Sequence, residues 1–175
     1  MDTKDKTQKN FLSIWAIFEE KITNEINFIK KKIQSTHNCP DFHPHLTLSC
    51  CFDVNLSNLD EYLQRVALKL NTFKIETSGY DYENKFFQSF FLNVKKNENF
   101  IKQKKKIDEI FNTKSFNFKP HISLFYGNLT KEQKIQLINL LPKYDTVTKI
   151  DKIALALNDE HNLKWKIVKV IDILN

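Results

Sequence analysis

Glycine is almost missing from this chain: Gly79 and Gly127 are the two present in 175 residues. Neither sits in a G-x-G-x-x-G or P-loop context, so nucleotide binding of the Rossmann or Walker kind is excluded. Proline is scarce too, at four residues, which excludes collagen-like, linker-rich and low-complexity chains. Arg65 is the lone arginine. Sequence-specific DNA readers lean on the bidentate contacts of arginine, so no DNA partner is expected. Cysteine is few and odd in number: Cys39, Cys50 and Cys51. An odd count that includes an adjacent pair does not suit a secreted disulfide framework. No run of about eighteen apolar residues occurs, and Met1–Asn10 is polar, without the apolar stretch of a signal peptide. These absences lead us to expect a cytoplasmic protein with no membrane partner, and a monomer.

What is present is apolar and basic. Hydrophobic residues make up 41% and aromatics 13%, with fifteen Phe, enough for a real core and too much for a disordered chain. The formal net charge is +6, carried by lysine, and favours phosphate-bearing partners. The runs Lys30–Lys32 and Lys104–Lys106 read as solvated faces of helices.

Periodicity gives the element order. Phe11–Phe18 reads as a buried strand, and Phe18, Ile22, Ile26, Ile29 and Ile33 recur at helical spacing. His45–Phe52 is a second strand. Ser57 caps a helix striped by Leu59, Leu63, Val66 and Leu70. Strands Phe73–Ser78 and Phe86–Val94 follow, with Gly79 marking the turn between them. Phe100, Ile107, Ile110 and Phe111 stripe the next helix, and His121–Tyr126 is a strand closed by Gly127. Thr130 and Gln133 form a capping box for a helix over 131–141. Thr146–Leu157 and Lys164–Ile173 read as a final antiparallel pair. Helix–strand–helix–strand–strand thus occurs twice after one leading strand. No linker divides the halves, so residues 1–175 are read as one α+β domain with lobes near 11–94 and 97–173, exchange of terminal strands being allowed.

One short motif occurs twice. Pro44-His45-Leu46-Thr47-Leu48 and Pro120-His121-Ile122-Ser123-Leu124 share the pattern Pro, His, aliphatic, hydroxyl, Leu. Each opens a strand, where proline is tolerated because it need not donate to the ladder. A period of two puts His45 with Thr47, and His121 with Ser123, on one face. Two imidazoles and two hydroxyls in one cleft suit attack on a phosphodiester without a metal. One neutral His takes a proton from the attacking water and the other, protonated, gives one to the departing oxygen. The hydroxyls donate to the non-bridging oxygens as charge builds. Nothing in the sequence decides which His is the base.

Paired H-x-[ST]-x motifs resemble the two-histidine (2H) phosphoesterase superfamily. Within it the chain is similar to the cyclic phosphodiesterase branch, the plant and yeast enzymes acting on ADP-ribose 1″,2″-cyclic phosphate. Ser13-Ile14-Trp15, Phe42-His43-Pro44-His45, Phe86-Phe87-Gln88, Lys119–Tyr126 and Trp165 carry the resemblance, which spans about residues 11–173. It implies a two-lobed fold of pseudo-twofold-related antiparallel sheets around a central cleft with helices outside. It also implies His45 and His121 as the acid/base pair, Thr47 and Ser123 as phosphate-holding hydroxyls, and Trp15, Phe87 and Tyr126 as pocket walls offering aromatic faces to a base or ribose. Simple alternation sets Tyr126 opposite His121, so a bulge or strand end must turn it inward. The implied activity is hydrolysis, without cofactor, of a nucleoside 2′,3′-cyclic phosphate or ADP-ribose 1″,2″-cyclic phosphate to a monoester. Alternatives are action on RNA ends or a cyclic oligonucleotide, or a non-catalytic nucleotide- or RNA-binding module, against which retention of all four motif residues argues.

A second cluster, His37, Cys39, His43, Cys50 and Cys51, has no C-x-x-C or H-x(3-5)-H pair with a matching downstream set, so no metal is expected there. His161 is expected to face solvent in a turn over Asn158–Asn162.

Overall fold

The computed structural model describes residues 11–52, 59–113, 117–159 and 164–173. Among these residues eight strands and four α-helices follow in the order β1 (Phe11–Ile17), α1 (Glu20–Gln34), β2 (Leu46–Phe52), α2 (Leu59–Lys69), β3 (Phe73–Asp81), β4 (Phe90–Val94), α3 (Glu98–Phe111), β5 (His121–Phe125), α4 (Lys131–Leu140), β6 (Val147–Ile150), β7 (Lys152–Asp159) and β8 (Lys164–Asp172). The helices form where the apolar spacing places them. In α1, Ile22, Ile26, Ile29 and Ile33 are each at most 5% exposed, and each such burial stabilises by about 1.5–3 kcal/mol. Glu20 in its first turn and Lys31 and Lys32 in its last complement the helix dipole. The Asn97 side chain caps α3 by accepting from the Phe100 amide, and Asn112 ends it at φ 49°. Thr130 and Gln133 make the expected reciprocal capping box on α4. The Ser57 cap and His161 lie outside the described residues.

The strands form an antiparallel sheet in the order β6-β3-β4-β5-β2-β1-β7-β8. That order is symmetric about the β5–β2 junction, where Leu46 pairs with Ile122. A pseudo-twofold through this pair exchanges β2 with β5, β1 with β4, β7 with β3, and β8 with β6. The helices cross over: α1 packs on β5 and α3 on β2. Leu46, Leu48, Ile122 and Leu124, each at most 1% exposed, face the core beneath them.

Four expectations are corrected. Gly79 does not end a strand: β3 continues to Asp81, and Gly79, at φ +72°, sits where the register against β4 shifts between Thr77 and Tyr80. A left-handed residue there makes a bulge, not a turn. Phe86–Gln88 is a 3₁₀ turn outside the sheet, so β4 starts at Phe90. Phe86 is held there by its carbonyl, which accepts from the Gly127 amide. The stretch Thr146–Leu157 is two strands, with β6 on β3 and β7 on β1, in different halves of the sheet. No Gly or Pro marks the break at Asp151. The lysine runs also depart from a wholly solvated reading, since Lys30 is 1% and Lys104 3% exposed.

Candidate active site

Leu46 opposite Ile122 in an antiparallel register sets Thr47 abreast of His121 and His45 abreast of Ser123. All four side chains line one cleft of about 210 Å³, together with Trp15, Phe87 and Tyr126. The seven residues singled out in the sequence are therefore gathered at one place.

The two histidines are fixed by the same device. His45 Nδ1 lies 2.7 Å from the His43 carbonyl, and His121 Nδ1 lies 2.9 Å from the Lys119 carbonyl. A carbonyl accepts only, so each Nδ1 carries the hydrogen and each Nε2 is left for the cleft. The proline between carbonyl and imidazole explains the repeat. It confines the residue before it to extended backbone and offers no competing N–H.

Their surroundings differ. His45 is 5% exposed, with its ring stacked on Trp15 at 3.6 Å between centroids and 10° between planes. Burial pushes its pKa down to about 3; the His43 carbonyl opposes this, while positive charge at His43, His121 and Lys30 adds to it. His121 is half-buried, with Phe91 tilted against it at 5.0 Å. Burial lowers its pKa as well, opposed by the Lys119 carbonyl and Glu83, with Lys119 and Lys85 adding to the lowering. Glu83 bridges Lys119 and Lys85 at 2.8 Å each.

The aromatic residues divide. Trp15 is 2% exposed, and the face it offers is already covered by His45. Tyr126 follows the end of β5 at Phe125, and that strand end turns it inward. Its ring stacks on Phe42 at 4.0 Å, and burial raises the phenol to about 12. Phe87 is 36% exposed and, with half-buried Trp165, is the aromatic surface open to a ligand.

Ser13, Cys50, Gln88 and Asn158 also line the cleft and were not singled out as site residues. Ser13 had a signal, two positions before Trp15 on the same strand face. Its hydroxyl pairs with the Asn158 amide at 3.2 Å. Asn158 had none, because β7 reaches β1 through tertiary pairing. Cys50 joins the face of Thr47 because the β1–β2 register shifts between Ile14 and Trp15. A second cavity of about 350 Å³ adjoins, sharing Thr47, Cys50, Gln88 and His121 and adding Phe118 and Lys119. Among the described residues, no three His, Cys, Asp or Glu side chains converge in a way that could hold a metal ion, and no helix is long and apolar enough to cross a membrane.

A family model, the 2′-5′ RNA ligase superfamily, matches residues 18–162. The chain belongs to that superfamily, the 2H phosphoesterases. Among other members, a cyclic phosphodiesterase of Arabidopsis thaliana is 21% identical over 131 residues, covering 74% of this chain and 72% of the relative. E. coli LigT, crystallised with 3′-AMP, superposes with a TM-score of 0.66 at 12% identity, covering 97% of this chain and 100% of its own. A protein of Thermus thermophilus, TT0787, gives 0.66 at 14% identity, covering 93% and 97%. The 2H fold is thereby shared across nearly the whole length, at identities where fold outlasts sequence.

Proposed function

We propose that this 2H phosphoesterase hydrolyses a small cyclic phosphodiester, a nucleoside 2′,3′-cyclic phosphate or ADP-ribose 1″,2″-cyclic phosphate, to a phosphomonoester. The observation that carries this reading is the pair of Nδ1-anchored imidazoles beside two hydroxyls in one cleft. His45, the more deeply buried and the more strongly held neutral, is the base. Its Nε2 takes a proton from water as the water oxygen bonds to phosphorus. The bond from phosphorus to one ring oxygen breaks, and that oxygen receives the proton on Nε2 of His121, the acid. Burial disfavours the charged form of His121, and Glu83 partly offsets this, in the direction an acid needs. Thr47 and Ser123 donate to the non-bridging oxygens. Ser123 first releases the Phe87 carbonyl, to which it donates at 3.3 Å. Phe87 and Trp165 receive the base or ribose, while Trp15 covers one face of the His45 ring and leaves its Nε2 edge to the attacking water.

The site's own groups supply proton transfer and charge stabilisation, so the reading is metal-independent. The name of the Arabidopsis relative supports the substrate class, as does the 3′-AMP bound to E. coli LigT, a monoester of the kind that opening a 2′,3′-cyclic phosphate leaves. The adjoining cavity with Lys119 favours a second reading, in which the cyclic phosphate ends an RNA chain. The test is turnover of 2′,3′-cyclic mononucleotides, ADP-ribose cyclic phosphate, a dinucleotide ending in a cyclic phosphate and cyclic dinucleotides, all with EDTA present. Activity on the first two is expected to survive chelation. Loss in EDTA restored by zinc or magnesium overturns the metal-free mechanism, and turnover confined to the dinucleotide decides for RNA ends.

A further inference from the structure

Lys30 is charged, long and 1% exposed, on a helix face otherwise made of isoleucine. A buried ammonium is costly unless its donors are met. Here they are met by the segment that leads into the first histidine. The Lys30 Nζ donates to the Phe42 carbonyl and lies 3.8 Å above the centre of the Phe42 ring. Asp41, almost fully exposed, stands 3.7 Å away on the solvent side. The same Phe42 ring stacks on Tyr126 and meets His45 edge-on at 6.5 Å. The next carbonyl, that of His43, is the one that holds His45 Nδ1.

The other half repeats the arrangement. Phe118 precedes His121 by three residues, as Phe42 precedes His45. Lys104, on the helix related to α1 by the pseudo-twofold, is 3% exposed and lies 5.0 Å above the Phe118 ring. Its ammonium pairs with Asp108. The shared unit is therefore longer than the histidine motif: Phe-x-Pro-His with a buried lysine behind the Phe.

We propose that Lys30 is a positioning residue, holding Phe42–Pro44 so that the His43 carbonyl meets His45 Nδ1 and keeps Nε2 aimed into the cleft. The proposal takes His45 to be a working imidazole, as the hydrolytic reading does, but it is tested without substrate as well as with it. The charged and titratable groups facing His45 are Lys30 from α1, His43 from its own segment and His121 from β5. Those facing Lys30 are Asp41 and Cys39.

The experiment compares Lys30→Met, Lys30→Arg and Lys104→Met with the wild type, each checked for a cooperative melt. In the wild type, ¹⁵N imidazole spectra of His45, assigned by its absence from His45→Gln, show a protonated Nδ1 and a bare Nε2. In Lys30→Met the two tautomers are expected to mix, and in Lys104→Met the His45 signals should stay as they are. With substrate, Lys30→Met should lose about 10²-fold in kcat, the scale of a small misplacement, at a KM within about twofold. The acid limb of kcat/KM should move to higher pH, because a positive charge that disfavours imidazolium has gone. Lys30→Arg keeps the charge, so kcat should fall while the limb stays. Wild-type tautomer, kcat and limb in folded Lys30→Met overturn the proposal. If that variant does not fold, wild-type kcat in Lys30→Arg does so instead. If the wild type opens no cyclic phosphate, the hydrolytic reading falls and the tautomer spectra still decide the role of Lys30.

Discussion

The two halves of the cleft are built from the same sequence unit and end in different surroundings. Each has a Pro-His step whose upstream carbonyl fixes Nδ1, and each has a hydroxyl two residues on. The His45 half is closed by Trp15 stacked on the imidazole, with the Lys30 ammonium behind it. The His121 half is open and faces the Glu83–Lys119–Lys85 cluster at the rim. Symmetry of the backbone places two equivalent imidazoles, and on the proposed reading the asymmetry of what packs around them is what would separate base from acid. Pairs of titratable groups pushed apart by environment are how one site runs both halves of a proton transfer.

The hardest test of that comparison is to remove each imidazole. His45→Ala and His121→Ala should each lower kcat by roughly 10²–10⁴, with the double variant little worse than either single one. Single-turnover kinetics on a 2′,3′-cyclic nucleotide checks this, and near-wild-type turnover in either single variant removes that histidine from the mechanism. The next largest effect falls on the hydroxyls. Thr47→Val and Ser123→Ala should each cost about 10²–10³ in kcat at most, with the pH limbs unmoved, because neither group titrates. A larger penalty for Thr47 than for Ser123 would extend the asymmetry from the imidazoles to the hydroxyls. An unchanged kcat marks a strand residue and not a phosphate ligand.

Trp15→Phe sharpens the comparison by altering one half alone. The kcat/KM profile of the free enzyme should be a bell, its acid limb set by His45 and its alkaline limb by His121. Both pKa values are lowered, so the optimum should lie on the acidic side of neutrality. A smaller ring lets water reach His45, raises its pKa and carries the acid limb upward by about one unit, roughly tenfold in rate at the most acidic points. The alkaline limb should stay. Equal movement of both limbs would show that the two halves are not independent.

The legible part of this molecule is local. The helices, the capping box and the motif strands follow from period and cap residues within a dozen positions. What misled was punctuation: Gly79 looked like a turn and is a bulge, while the break at Asp151 carries no Gly or Pro at all. The quartet of His45, Thr47, His121 and Ser123 could be read because each half of it sits in five consecutive residues. Lys30 could not, because a lysine run is solvated on average and one member's burial depends on a loop that folds back over it. Trp15 was found by likeness to the family, yet the stacking on His45 that gives it a role is tertiary.

The smallest effect concerns folding, and it isolates the same difference without any substrate. His45 is neutral in the native state down to a pKa of about 3 and titrates near 6.5 once unfolded. Between those values the unfolded chain binds more protons, so stability falls as pH drops through this window, by up to about 1.4 kcal/mol per pH unit for one such group. The loss begins near pH 6.5, above the carboxylate range, so the interval from pH 7 to 5 reports mainly on histidine. Urea unfolding over that interval should show falling stability for the wild type and a flatter line for His45→Asn. His121, half-exposed and less tightly enclosed, should contribute less, so His121→Asn should leave a slope close to that of the wild type. Parallel lines for all three proteins would mean that His45 is not held neutral in the folded protein, and its assignment as the base would go with it.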